Sequence, residues 1–84
     1  MKLEQGENRL FLLDETGRLA AEITFPQVEP GGWCIDHTFV SPALRGQGVA
    51  GRLVEAALKE IRRRGGTAAA TCPYAAAWIK NHGK

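Results

Sequence analysis

The sequence predicts an α/β domain: a mixed sheet of about four strands carrying one long helix and one short C-terminal helix. Three observations lead there. The first half of the chain is made of short apolar and alternating runs broken by Gly and Pro. From Val49 onward, Val49, Leu53, Val54, Ala57, Leu58 and Ile61 recur with the spacing of one helix face. After paired glycines comes a run of small residues and then a second helical stretch. At 84 residues the chain makes one domain, residues 1–84, with a single small core.

In order along the chain, Leu10-Phe11-Leu12-Leu13 is an apolar run, and Glu15-Thr16-Gly17 is a turn-like segment before the next run. This reads as a hairpin. Its second strand, Leu19 to Phe25, places large apolar residues at every second position, the period of a half-buried strand. Pro26 ends that strand or puts it at a sheet edge. Glu29-Pro30-Gly31-Gly32 is a second turn, and Trp33 to Val40, rich in aromatic and β-branched residues, is the third strand. Simple alternation puts Trp33, Ile35, His37 and Phe39 on one face, and Cys34, Asp36, Thr38 and Val40 on the other. The sheet is expected to be antiparallel through this strand.

The long helix carries Glu55 with Lys59 and Glu60 with Arg64, each four apart in the favourable order. Gly65-Gly66 stops it. Thr67 to Cys72 is read as a strand, because paired glycines precede it and Pro73 follows. Its small side chains let the long helix, or a ligand, approach the backbone closely. Residues 75 to 81 form the last short helix.

Composition excludes several classes. A net charge of +2 is too small to imply nucleic-acid binding, and Arg62-Arg63-Arg64 lacks the interleaved aromatics of a nucleic-acid platform. That run reads as a solvated helix end, where cations oppose the negative end of the helix dipole. Cys34 and Cys72 show no Cys-x-x-Cys or Cys/His spacing, so no metal site is expected. Neither an apolar leader nor a membrane-length run is present, so a cytoplasmic protein with free thiols and no membrane partner is expected.

The chemistry concentrates where the third strand enters Ser41-Pro42-Ala43-Leu44-Arg45-Gly46-Gln47-Gly48-Val49-Ala50-Gly51-Arg52. A strand, a glycine-rich turn and a helix amino terminus make an anion site. The first backbone N–H groups of a helix lack internal partners, and aligned peptide dipoles add about half a positive charge there. Glycines remove the Cβ atoms that would hold a phosphate away, and Arg45 adds a planar partner for phosphate oxygens. Equally, Gly46 and Gly48 can simply make a tight turn.

Three phosphate-binding patterns compete for this loop. A Walker loop needs Gly-Lys followed by Ser or Thr, and Gly46 and Gly48 are followed by Gln47 and Val49. Gly46, Gly48 and Gly51 match Gly-x-Gly-x-x-Gly literally, but no acid follows Glu60 to hold a ribose, and too little chain remains to complete a Rossmann sheet. The third pattern fits. Arg45-x-x-Gly48-x-Ala50 resembles the acyl-CoA signature of the GNAT superfamily of N-acetyltransferases. Residues 35–40, Pro42-x-Leu44-Arg45-Gly46-x-Gly48-Val49-Ala50, Cys72-Pro73-Tyr74 and Trp78-Ile79-x-Asn81-His82 resemble its small stand-alone members, the minimal or YjdJ-like group. The likeness covers residues 7 to 83.

The resemblance implies a GNAT-like mixed sheet, with acetyl-CoA as the bound cosubstrate. Its pyrophosphate would sit on the amides of Gly46, Gln47, Gly48, Val49, Ala50 and Gly51, with Arg45 beside them and Arg52 nearby. The pantetheine arm would run along Phe39 and Val40, between the third strand and the short strand near Ala68 to Thr71. These two parallel strands splay apart in the family. The thioester would end near Cys72 and Tyr74. Full members carry helices and loops in their amino-terminal half that build the wall for the amine acceptor. Here three strands occupy that half, so the acceptor wall is largely missing.

Three readings of the chemistry follow. In a direct transfer, His37 or Asp36 serves as base toward an unidentified amine, and Tyr74 as acid toward the leaving thiolate, provided each lies within reach of the reacting atoms. His37 can instead be a packed strand histidine, and Tyr74 a core aromatic. In a covalent transfer Cys72 is the nucleophile, since a cysteine before a helix start meets free amides and a favourable dipole. It can equally be inert packing. The third reading is a non-catalytic coenzyme A-binding or protein-interaction module. The chain is expected to be a monomer or weak dimer.

Overall fold

A computed structural model describes residues 3–82. The element order is β1 (Leu3–Gln5), β2 (Arg9–Leu13), β3 (Leu19–Thr24), β4 (Gln27–Glu29), β5 (Gly32–Ile35), β6 (His37–Val40), a 3-10 turn (Pro42–Leu44), α1 (Val49–Arg63), β7 (Thr67–Ala70) and α2 (Pro73–His82). The strands form two sheets, ordered β1-β2-β3-β6 and β4-β5-β7. All pairings are antiparallel except β5 with β7, which is parallel.

The hairpin turn between β2 and β3 is built on Asp14. Its Oδ1 accepts from the amides of Thr16 (2.9 Å) and Arg18 (3.0 Å) and from the Thr16 hydroxyl (2.6 Å). Gly17 takes φ +87, a conformation that an L side chain resists.

The core lies between the first sheet and α1. Leu10, Ala21, Ile23, Phe25 and Ile35 meet Leu53, Val54, Ala57, Leu58 and Ile61 there. Because those α1 positions share one helical stripe, the sequence periodicity and the buried face coincide. α1 ends where Gly65 takes φ +78. Gly66 N–H donates to Ile61 C=O (3.0 Å) and Gly65 N–H to Arg62 C=O (2.9 Å), the paired bonds of a Schellman stop. Of the two spaced ion pairs, Glu60 and Arg64 meet at 2.8 Å, and Glu60 also takes Arg63 at 2.7 Å. Glu55 and Lys59 form no ion pair among the described residues.

Arg64 is a structural strut as well as a helix-end charge. It donates to Asn8 Oδ1 (2.8 Å) and Glu7 C=O (2.8 Å), and its guanidinium lies 5.5 Å from the Phe25 ring and 5.8 Å from Trp33. Ties from helix to hairpin of this kind need long-range contact, which composition alone cannot reveal.

One expectation is corrected. Trp33 to Val40 is not one strand: it breaks at Asp36, with β5 in the second sheet and β6 in the first. The extra residue at the break shifts the alternation. Ile35 is fully buried, and Val40 and Thr38 pair with Ala21 and Ile23 on the core side. His37 and Phe39 pair instead with Thr24 and Glu22 on the opposite face. Ile35 and His37 therefore do not share a face. The same break, together with the three-residue strands β1 and β4, raises the strand count above the expected four or so.

Candidate functional site

The split at Asp36 creates a cleft. Thr71 and Cys72 amides both donate to Ile35 C=O, at 3.0 and 3.2 Å, the last bonds before β6 and β7 part. Beyond that point β6 pairs only with β3. Ser41 N–H donates to Ala20 C=O (2.8 Å), which fixes the alternation of the ladder. The backbone of Phe39 faces β3, and the backbones of Thr38 and Val40 face the open edge. A free strand edge of this kind offers N–H and C=O groups to an extended ligand.

The loop lies at one end of this edge. Gly46 and Gly48 take φ +85 and +74, and a Cβ built on either glycine would meet nothing within 4 Å. Gly48 is the N-cap of α1, and the first bond of that helix runs from Arg52 N–H to Gly48 C=O at 3.2 Å. The amides of Val49, Ala50 and Gly51 therefore precede the helical ladder, with no acidic side chain in the first turn to occupy them. A groove of about 210 Å³ opens here, lined by Val40, Leu44, Arg45, Gly46, Gly48, Val49, Ala50 and Tyr74. Arg45 donates from Nε to Val40 C=O (3.2 Å), and Gln47 from Nε2 to Ala43 C=O (3.3 Å). Both side chains tie the loop to the chain that precedes it.

Gly51 has a different environment. A Cβ there would lie 2.9 Å from Trp78 Nε1 and 3.5 Å from Tyr74 Oη. Its missing side chain is what lets α2 close onto the first turn of α1. Tyr74, 45% exposed, is held by that contact at the groove.

Cys72 occupies the other end of the cleft, half-buried ahead of α2, and its carbonyl accepts the first bond of that helix from Ala76 N–H (2.9 Å). Its Sγ lies 3.6 Å from Thr38 Oγ1. Burial pushes the thiol up, but the amides of Ala75, Tyr74 and Thr38 and the Thr38 hydroxyl together outweigh it and hold the thiol below its ordinary range. Cys34 is buried within β5, 3.8 Å from Thr71 Oγ1.

Of the residues singled out in the sequence, Val40, Arg45, Gly46, Gly48, Val49, Ala50 and Tyr74 come together around one groove. Cys72 joins them through the cleft. His37 is exposed on the far face of the sheet, paired with Thr24, and Phe39 shares that face. Asp36, at the break itself, accepts from Thr24 Oγ1 at 2.5 Å. No partner for Thr38 is readable in the sequence. The register shift alone brings it to Cys72, and a lone threonine in a strand gives no warning of that.

A family model for GCN5-related N-acetyltransferases matches residues 9–84. Comparison with curated protein sequences gives no significant match. Among solved structures, a GCN5-like protein of Staphylococcus aureus is 34% identical with a TM-score of 0.79, over 95% of this chain and 78% of that one. The ribosomal-protein-S18-alanine N-acetyltransferase of Escherichia coli shares the fold at 24% identity and a TM-score of 0.70, over 94% of this chain and 54% of its own. A predicted acetyltransferase of Clostridium acetobutylicum, solved with acetyl-CoA, does so at 17% identity and a TM-score of 0.64, over 90% and 56%. This chain thus spans little more than half the length of the last two. With the family model covering all but its first residues, and the glycine loop, strand split and two helices arranged as described, the chain belongs to the GCN5-related N-acetyltransferase family.

Proposed function

We propose that this protein binds acetyl-CoA, with the pyrophosphate on the amides that open α1, and transfers the acetyl group to an amine. The observation that carries this reading is Gly48, left-handed at the N-cap, its missing side chain opening the start of α1 onto the groove. Unpaired amides and the dipole favour a diphosphate there. The pantetheine arm runs along the β6 edge at Thr38 and Val40, replacing the Arg45 bond that occupies Val40 C=O, and the thioester reaches the neighbourhood of Cys72. In the transfer, the amine nitrogen forms a bond to the thioester carbonyl carbon, the carbon–sulfur bond breaks, and the thiolate takes up a proton. Tyr74 is the exposed hydroxyl at the groove suited to supply it. The base is His37 or Asp36; the Asp36 carboxylate accepts from Oγ1 of Thr24, the residue paired with His37.

Titration with acetyl-CoA, followed by residue-resolved NMR, tests the binding step. Shifts confined to residues 40–52 and 70–75 are expected, and they disappear in a protein carrying Arg45→Glu and Gly48→Val. Unchanged affinity in that double variant overturns the reading. Binding without transfer to any amine or peptide acceptor would assign the chain to a non-catalytic coenzyme A-binding module.

A second route is favoured by the environment of Cys72. In it, the thiolate attacks the thioester, coenzyme A leaves as thiolate, and the acetyl group rests on Sγ before an amine removes it. Incubation with acetyl-CoA then adds one acetyl group by mass, abolished in Cys72→Ala. Protein that stays unmodified eliminates this route and leaves the direct one.

A further inference from the structure

The second sheet ends abruptly at β7. In the order β4-β5-β7, one edge of β7 is open among the described residues. Thr67 N–H donates to Gly31 C=O (2.8 Å) and Thr71 N–H to Ile35 C=O (3.0 Å), so alternate residues face β5 and the backbones of Ala68 and Ala70 face outward. Nothing in Thr67-Ala68-Ala69-Ala70 guards that edge: no lysine, no proline and no bulge.

The helices reach past this edge. Ala68 pairs with Trp33 and so lies on the helix-covered side of the sheet. Beside it a slot of about 350 Å³ is walled by Leu58 and Ile61 of α1, Ile79 of α2, and Gly66 and Thr67, with Arg62 at its rim. Arg63 and Arg64 are both engaged with Glu60, whereas Arg62 is exposed and makes no ion pair among the described residues. A free strand edge, an apolar slot where the next strand's side chains would fall, and an unneutralised cation thus occur together.

We infer that β7 is a docking edge for an extended segment of a partner protein, which adds as a fourth strand to the second sheet. It places aliphatic side chains in the slot and a carboxylate against Arg62. Main-chain bonds to Ala68 and Ala70 hold it, and alternate side chains select it. Since Arg62 lies near the Thr67 end, an antiparallel segment carries its acid at the carboxyl-terminal side. A second copy of β7 fits poorly: it would bring only alanine methyls to the slot, and its carboxyl-terminal side, Ala70-Thr71-Cys72, carries no acid to meet Arg62.

The test uses the 15N-labelled protein and two blocked hexapeptides, acetyl-Thr-Ile-Thr-Val-Thr-Asp-amide and the same peptide ending in Lys. The acidic peptide is expected to shift the Ala68 and Ala70 amides saturably and slow their exchange with water. The lysine peptide should bind at least tenfold more weakly, and Arg62→Glu should reverse that preference while leaving the spectrum of the core unchanged. Ala68→Pro, which removes an outward N–H, should abolish both. Unshifted Ala68 and Ala70 at millimolar peptide, or equal binding of the two peptides, overturns the proposal. So does peptide-free protection of those amides that rises with protein concentration, since it would put a second copy on the edge.

Discussion

The Cys72 thiol and the Thr38 hydroxyl lie 3.6 Å apart across the gap where β6 leaves β7. They are 34 positions apart in sequence, and only the break at Asp36 turns the Thr38 side chain toward the thiol. Thr38 from the strand and the amides of Tyr74 and Ala75 at the start of α2 act together on that one sulfur.

Replacing Thr38 with Val keeps the side-chain shape and removes the hydroxyl. The thiol pKa should rise, because one of the groups holding it down is gone while burial still pushes it up. Alkylation by iodoacetamide at pH 7 should slow a few-fold, with its pH midpoint displaced upward. Thr38→Ser should restore both, and an unchanged pH profile in the valine variant would show that the hydroxyl has no influence on the sulfur.

Gly51→Ala tests the closure of α2. In an ordinary helix interior this change stabilises by about 1 kcal/mol. Here the new methyl would lie 2.9 Å from Trp78 Nε1, inside normal contact distance, and the crowding of a packed ring costs about 1 to 3 kcal/mol. Denaturant melts should show a net loss of about 1 kcal/mol, with a shifted Trp fluorescence maximum. A more stable variant would mean that α2 moves aside freely.

Gly48→Ala forces a Cβ into a left-handed conformation, φ +74, at a cost of about 1 kcal/mol. Thermal unfolding should report that loss. Acetyl-CoA affinity should fall about tenfold, equivalent to 1.4 kcal/mol, as the methyl enters the groove. Loss of stability with full affinity would separate the turn from the ligand.

Glu60 should set part of the acid limb of stability. Hydrogen bonds from Arg63, then from Arg64, bring its pKa down to about 2 from 4.5. The folded-state value is depressed, so the contribution is complete above pH 4.5 and fades as the pH falls toward 2. Arg63 is 69% exposed, and solvent screening limits the effect to about 1 to 2 kcal/mol. Glu60→Gln should lose that amount at pH 7 and flatten the stability profile between pH 4.5 and 2.

Much of this architecture is legible in the residues themselves. Leu53, Val54, Ala57, Leu58 and Ile61 announce α1 by spacing, and Gly65-Gly66 marks its end, because helical periodicity and stop signals are local. The glycine loop is legible for the same reason: backbone amides at a helix start follow from chain geometry. Asp36 is not. Nothing in Trp33 to Val40 distinguishes a continuous strand from one that changes sheets, since the break is set by how β3 and β7 compete for it. Simple alternation therefore puts residues downstream of it, His37 and Phe39 among them, on the wrong faces relative to Ile35. β1 and β4 are not legible because three residues carry too little pattern, and the Thr38–Cys72 contact is not because the two are distant in sequence.

Asp36 belongs to neither sheet, and the molecule's opening comes down to parity. Were the chain one residue shorter at that point, His37 would follow Ile35 in plain alternation, and β5 would run straight into β6 with no position beyond it changing face. All the other side chains would be present, yet the aperture beside Cys72 would be sealed by an unbroken ladder.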